Sequence, residues 1–269
     1  MPKLSIIMPV YQTEVSHLAE AISSLIVAAP RDSEIHIGLD GPCSEPGLQL
    51  LHAMQKYSPG PIIRISQFQR KGLVPTLNAL IEQSDCKYLA RQDSDDVCLP
   101  SRLMQQLRAL DERPTAFFCG TQVTRCDANL QPHRRQRIYP TSFRSQLIYA
   151  SLLNNPIAHP TLMIKRHILD SPAYRHISGA EDWDLYIRLW LEGNQSFNLK
   201  QPGLLYRIHP HQITQKARNS KLLYELKARS LQAAAQHYHS SILLKPIQNL
   251  SNTIRLTELA IQAKRWLDR

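Results

Sequence analysis

Apolar runs of strand length alternate with helical repeats along the N-terminal part of this chain, and few folds accept that order. Leu4–Val10 is an unbroken apolar run ended by Tyr11-Gln12-Thr13, the pattern of a strand buried on both faces of a parallel sheet. Leu18, Ala21, Ile22, Leu25 and Ile26 then recur at three and four, predicting a helix closed by Pro30. Residues 35–39 read as a second strand ending in Asp40-Gly41-Pro42. Leu48, Leu51, Ala53 and Met54 predict a helix that stops before Ser58-Pro59-Gly60-Pro61, and residues 62–65 make a third strand. Pro75 reads as a first helical position, with Leu77, Leu80 and Ile81 lining a helix that leads into the strand Lys87-Tyr88-Leu89-Ala90. Three such units predict an α/β fold with a doubly wound, mostly parallel sheet, whose ligands bind outside the carboxyl ends of the strands. The loops after Val10, Leu39 and Gln92 are therefore the places to look for chemistry. Residues 116–124 form a further strand and Cys126-Asp127-Ala128-Asn129 a turn. From Ser220 two amphipathic stretches, broken near Pro246, predict a C-terminal helical extension.

The 269 residues suit one large α/β domain, or a domain of about 200 residues with an appendage. With 43% hydrophobic and 20% charged residues the chain is excluded from the disordered class. No run approaches the roughly 18 apolar residues of a membrane span, and the N-terminal apolar run reaches Pro9 too soon for a signal sequence. Five cysteines without a C-x-x-C pair argue for reduced thiols and against zinc. These features read as a cytosolic chain, with any membrane contact made at the surface. An excess of 32 Lys+Arg over 22 Asp+Glu gives +10, which favours anionic partners: nucleic acid, acidic lipid or phosphorylated small molecules.

The strongest local signal is Asp93-Ser94-Asp95-Asp96, directly after a predicted buried strand. Crowded carboxylates raise one another's pKa unless a cation neutralises them, so the loop is a candidate Mg²⁺ or Mn²⁺ site. An acidic turn capping the helix that begins near Pro100-Ser101 is the competing reading.

The surroundings extend the pattern. Ser5-Ile6-Ile7-Met8-Pro9-Val10-Tyr11, Asp40-Gly41-Pro42, Gly72-Leu73-Val74-Pro75-Thr76-Leu77-Asn78, the acidic loop, Pro100-Ser101-Arg102-Leu103 with Gln106, Ala180-Glu181-Asp182-Trp183-Asp184-Leu185 and Tyr206-Arg207-Ile208-His209 follow in order. In that order and spacing the chain resembles the family-two glycosyltransferases, inverting nucleotide-sugar transferases with a GT-A fold. The bacterial members that build capsule, exopolysaccharide or lipopolysaccharide are the most similar. The resemblance covers roughly residues 1–215, implying a catalytic domain there (a nucleotide-binding half at 1–98, an acceptor half at 99–215) and amphipathic helices at 216–269.

The resemblance implies roles residue by residue. Pro9, Tyr11 and Asp40 would surround a uracil or similar ring, Tyr11 by stacking and Asp40 by accepting from a ring N–H. From the residues alone, a core aromatic and a turn aspartate serve as well. Asp93 is implied at the ribose, Asp95 at the metal bridging the diphosphate, and Asp96 in support of the loop. Arg91 would touch the nucleotide and lower the carboxylate pKa values, or lie on the surface. Arg70, Ser94 and Trp183 are further substrate-binding positions. Arg207 would close on the diphosphate, with His209 a candidate metal ligand. The catalytic base is implied in the Glu181-Asp182 pair, at Asp182 first and Glu181 second. It would take the acceptor hydroxyl proton as that oxygen displaces the diphosphate with inversion. His159, in Asn154-Asn155-Pro156-Ile157-Ala158-His159-Pro160-Thr161, is a candidate acceptor contact. Three positions depart from the family pattern: Gln12 stands where Asn is frequent, Leu39 where many members have a second Asp, and Arg70 where Asn precedes x-Gly.

The implied donor is a nucleoside-diphosphate sugar, with UDP first, and the implied acceptor a saccharide or a lipid-linked saccharide. Arg134, Arg135 and Arg137 could meet a lipid-linked diphosphate, or form a solvated loop. The basic C-terminal stretch could lie on the anionic cytoplasmic face of the inner membrane, or pack on the catalytic domain or a second subunit. Two rival readings fare worse. A haloacid-dehalogenase-type phosphatase carries its Asp-x-Asp after the first strand of its domain, and a nucleic-acid binder would rest on charge alone, since no recognition motif is present. The sequence therefore predicts no nucleic-acid partner. A dinucleotide-binding dehydrogenase lacks its G-x-G-x-x-G.

Overall fold

In the computed structural model, which describes residues 3–177, 179–208 and 220–238, the strand–helix alternation closes into one eight-stranded sheet. Strands β1 (Leu4–Val10), β2 (Glu34–Asp40), β3 (Ile62–Phe68) and β4 (Tyr88–Arg91) are joined through helices α1 (Val15–Ala28), α2 (Glu45–Tyr57) and α3 (Leu73–Glu82). All four strands run parallel, with Ile6 beside Ile35 and Ala90, and Ile35 beside Ile63. The second half is mixed. It comprises β5 (Val97–Cys98), α4 (Arg102–Asp111), β6 (Ala116–Cys126), α5 (Phe143–Leu152), β7 (Met163–Lys165), α6 (Glu181–Leu191), β8 (Gln195–Arg207) and α7 (Ser220–His237). The spatial order is β3-β2-β1-β4-β7-β6-β8-β5, with β7 antiparallel to both its neighbours and β8 parallel to β6. The predicted mostly parallel α/β sheet is present, with the antiparallel pairs confined to its C-terminal half.

The sheet has a core on each face. On one, Ile6, Met8, Ile35, Ile37 and Ala90 meet Leu18, Ile22 and Leu25 of α1 and Leu103, Leu107 and Leu110 of α4. On the other, Ile7, Leu89, Phe118 and Ile164 meet Leu77 and Leu80 of α3 and Trp183, Ile187 and Trp190 of α6. Alternate residues of β1 thus feed opposite cores, which is why that strand, Ser5 apart, is apolar on both faces rather than at every second residue.

Several sequence expectations are corrected in detail. Pro75 is the third residue of α3, because the helix starts at Leu73 behind Gly72, whose φ of 90° only glycine adopts readily. The third strand runs on to Phe68 and the strand after α4 to Cys126. Helix α7 packs on α5 and α6, with Leu226, Ser230 and Ala233 buried, so this first C-terminal helix turns buried side chains toward the rest of the fold. The second predicted helix, beyond Pro246, lies outside the described residues. Among the described residues no helix is long and apolar enough to cross a membrane.

Candidate active site

Strand β4 ends at Arg91 and delivers the acidic loop to the carboxyl edge of the parallel half. Asp93, Asp95 and Asp96 each offer a carboxylate oxygen, and the three oxygens lie within 4.8 Å of one another. Arg91 is buried and its Nη2 donates to Asp93 Oδ1 at 2.8 Å, so the surface reading of this arginine is excluded. Asp96 is wholly buried. Its Oδ1 accepts from the Arg207 amide at 2.8 Å, while Oδ2 has no hydrogen-bond partner among the described residues. Burial, followed by repulsion from Asp95 and Asp93, pushes the Asp96 carboxyl well above the usual range. Burial raises Asp93 as well, against the pull of Arg91.

The loop is held from behind. Gln92 Nε2 donates to the carbonyls of Asp93 at 3.2 Å and Asp96 at 2.9 Å. Arg102, also buried, donates through Nη1 to Gln92 Oε1 at 2.7 Å and through Nη2 to the carbonyls of Arg91 at 2.6 Å and Pro160 at 2.8 Å. Gln106 accepts from Arg102 Nε at 3.1 Å and donates to the Thr161 carbonyl at 2.8 Å. Arg102 and Gln106 thus tie the acidic loop to the 3₁₀ turn His159–Thr161. The guanidinium of Arg207 donates to the carbonyls of Asp95 and Ala128 and pairs with Glu20 of α1. At 1% exposure Arg207 braces the loop, and the closing contact with a diphosphate implied for it is not what this arrangement displays.

Beside the loop, the β1–α1 and β2–α2 connections enclose a cleft of about 280 Å³ lined by Val10, Gln12, Thr13, Leu39, Pro42 and Cys43 among others. Thr13 Oγ1 lies 2.6 Å from Ser94 Oγ, which joins this cleft to the acidic loop. Half-buried Pro9 precedes it on β1. Gln12 adopts φ 48°, a left-handed conformation that Asn tolerates better than Gln, which accounts physically for the Asn the resemblance leads one to expect there. Tyr11 is 42% exposed, and the Arg70 guanidinium stacks over its ring at 4.9 Å. Asp40 accepts from the amides of Lys71 at 2.7 Å and Gly72 at 3.0 Å, so it also fastens the turn that starts α3.

Glu181 and Asp182 open α6, Glu181 buried and the Asp182 side chain 13% exposed. Asp182 Oδ1 accepts from the Trp183 amide at 2.8 Å, and Oδ2 accepts from Asn155 Nδ2 at 2.5 Å. His159 stands behind Asp182, its Nδ1 3.8 Å from Oδ2 and its Nε2 2.8 Å from the Tyr174 hydroxyl. Burial and the nearby Arg91 hold His159 well below the ordinary histidine pKa, hence neutral. The structure therefore places His159 against the candidate base rather than at an open acceptor surface. Trp183 is likewise corrected: it is fully buried and its indole N–H donates to Ser230 of α7 at 3.2 Å, a packing role rather than a substrate contact. His209 lies outside the described residues.

Sequence reasoning assigned no role to Arg102, Gln106, Asn155 or Tyr174. Arg102 and Gln106 are four apart on a helix, a spacing that places both on one face; a buried polar pair there was the available signal. Asn155 stood only within the segment quoted for His159 and Tyr174 in none, since the partners of both are distant in the chain.

Comparison with known proteins gives the family and the fold. The family model described as Glycosyl transferase family 2 matches residues 5–171. The O-antigen biosynthesis glycosyltransferase WbnJ of Escherichia coli is 31% identical over 220 residues, covering 80% of this chain and 82% of that protein. The amylovoran biosynthesis glycosyltransferase AmsE of Erwinia amylovora is 26% identical over 207 residues, 76% and 75% of the two chains. In three dimensions the chain is similar to S. aureus TarS 1-349, solved in complex with UDP-GlcNAc. The TM-score is 0.65 at 18% identity, over 87% of this chain and 71% of that one, a likeness of fold. Neither the phosphatase nor the nucleic-acid reading finds support in these similarities.

Proposed function

The chain belongs to glycosyl transferase family 2, and on that premise we propose a metal-dependent, inverting transfer of sugar from a UDP-sugar to a saccharide or lipid-linked acceptor in bacterial surface polysaccharide synthesis. The observation that carries this reading is the trio Asp93, Asp95 and Asp96, gathered at the carboxyl edge of the sheet beside the cleft between the first two loops. All its donors are hard carboxylate oxygens, and Asp96 Oδ2 is buried without a hydrogen-bond partner among the described residues, a set that fits Mg²⁺ or Mn²⁺. Asp95 would be the principal ligand. Bound there, the cation supplies Lewis-acid neutralisation of the charge that develops on a departing diphosphate.

The chain's own residues account for the rest. Tyr11 and the cleft around Pro42 bind the nucleotide base, Asp40 and Arg70 shape its edge, and Asp93 with Arg91 faces the ribose. Asp182 accepts the proton of the acceptor hydroxyl through its carboxylate as that oxygen attacks the anomeric carbon, with Glu181 beside it. One carboxylate suffices for a single displacement with inversion. Residues 1–98 form the donor half and 99–215 the acceptor half. On the acceptor side the exposed Arg134, Arg135 and Ile138 suit contact with an anionic membrane that presents the acceptor, on the cytoplasmic face.

Calorimetric titration with UDP, with and without Mn²⁺ and beside GDP and duplex DNA, tests the reading. UDP binding that requires Mn²⁺ and is lost in Asp95→Ala supports it; equal UDP affinity with and without metal removes the metal role. Asp182→Asn is expected to abolish transfer and leave UDP binding intact, and transfer near the wild-type rate would unseat Asp182 as base.

A further inference from the structure

Asn155 is fixed at every polar atom. Its amide N–H donates to Asn154 Oδ1 at 2.8 Å, and its carbonyl accepts from Arg137 Nη2 at 2.6 Å. Arg137 itself is held over the rings of Tyr139 at 4.6 Å and Tyr149 at 5.7 Å. In the side chain, Oδ1 accepts from the Ile157 amide at 3.2 Å, which settles the orientation of the amide group. Nδ2 must then face Asp182, where it donates to Oδ2 at 2.5 Å. At 5% exposure, Asn155 makes this bond away from bulk water. An N–H donor favours the ionised carboxylate over the protonated one, so the bond biases Asp182 toward the form a base requires.

His159 adds a second constraint on the same oxygen. A lone pair on Nδ1 at 3.8 Å from a carboxylate oxygen would repel it, so the favoured tautomer carries its proton on Nδ1 and accepts at Nε2 from the Tyr174 hydroxyl. At 3.8 Å the Nδ1–H acts on Asp182 as an oriented dipole, not as a hydrogen bond. The histidine ring is set between those of Tyr174 at 5.3 Å and Tyr186 at 6.5 Å. Among the described residues, the groups facing Asp182 include Asn155 and Tyr139 from the loops around α5, His159 from the 3₁₀ turn, Tyr174 from the segment before α6, and Glu181 and Tyr186 from α6.

We propose that Asn155 is a positioning residue that holds Asp182 ionised and aimed, with the Tyr174–His159 pair orienting an N–H dipole behind it. This inference rests on Asp182 being the base. The bond to a charged acceptor is of the strong class, so losing it should raise the Asp182 pKa by about one pH unit, a tenfold gain in proton affinity.

The test is carboxylate titration by ¹³C NMR on the full chain labelled at aspartate side chains, the Asp182 resonance being identified by its absence in Asp182→Asn. The expected result is a midpoint raised by about one unit in Asn155→Ala. A larger rise is expected in Asn155→Asp, which keeps shape and volume while setting a like charge beside Asp182. Asn155→Asp also keeps the test open should the alanine variant fold poorly. A midpoint unmoved in Asn155→Asp, or unmoved in a folded Asn155→Ala, overturns the proposal. This readout needs no substrate, so it fails separately from the base assignment. If Asp182→Asn kept its transfer activity the base would be wrong, whereas an unmoved midpoint beside an inactive Asp182→Asn would sink the positioning role alone.

Discussion

Arg102→Met removes the hub that ties the acidic loop to the 3₁₀ turn, and its cost can be worked from the bonds it breaks. Three buried acceptors, Gln92 Oε1 and the carbonyls of Arg91 and Pro160, lose donors at 2.6–2.8 Å, and Gln106 Oε1 loses one at 3.1 Å. An orphaned buried acceptor costs about 1–3 kcal/mol, and relief from burying the guanidinium returns part of the sum. A net loss of about 4 kcal/mol is expected. In a chain of this size that corresponds to roughly 10 °C in Tm. Thermal unfolding followed by circular dichroism measures it, with UDP titration in Mn²⁺ on the same samples. Arg102→Lys keeps the charge but cannot reproduce the fork, so about half the loss should remain. UDP affinity should weaken in both variants, because Gln92 then no longer locks the loop. A fall in Tm below about 3 °C for Arg102→Met would refute the reasoning that the loop depends on this hub.

The remaining expectations concern pH and packing. His159 is buried neutral with its pKa well below the ordinary 6.5, so the unfolded chain takes up a proton that the folded one refuses as pH falls through 6.5. Stability present above that value should therefore be lost on acidification at about 1.4 kcal/mol per pH unit until the folded value is reached. His159→Gln should flatten the slope measured by urea unfolding from pH 7 to 5. Some slope should remain, since burial lowers His36 in the same direction; an unchanged slope would contradict the assignment. At Gly120 a Cβ would fall on Asn198 Oδ1 and within 2.6 Å of Ile157 Cγ2, so Gly120→Ala should cost about 1–3 kcal/mol by urea unfolding, and a neutral result would mean the turn carrying Ile157 yields freely.

Much of the fold was legible because its signals are local. A strand that feeds two cores is apolar on both faces, as Leu4–Val10 is at every position but Ser5, and a helix that buries one face repeats at three and four, as Leu18, Ala21, Ile22 and Leu25 do. The acidic loop was legible for the same reason, since its three carboxylates are neighbours in sequence. The order of the motifs carried the family resemblance, and with it the pair Glu181-Asp182.

Only the tertiary structure decided which side chains serve the chemistry and which serve the scaffold. Arg207 meets Asp96 across 111 residues and Asn155 meets Asp182 across 27, and nothing in either local pattern marks a partner so far away. Arg207 and Trp183 carry family-motif positions, yet both are buried in bracing or packing contacts, while Asn155, with no assigned role, reaches the candidate base. The physical reason is that periodicity fixes which face of an element is buried, whereas the partner of a buried polar group depends on where the sheet order β4-β7-β6-β8 brings distant chain ends together.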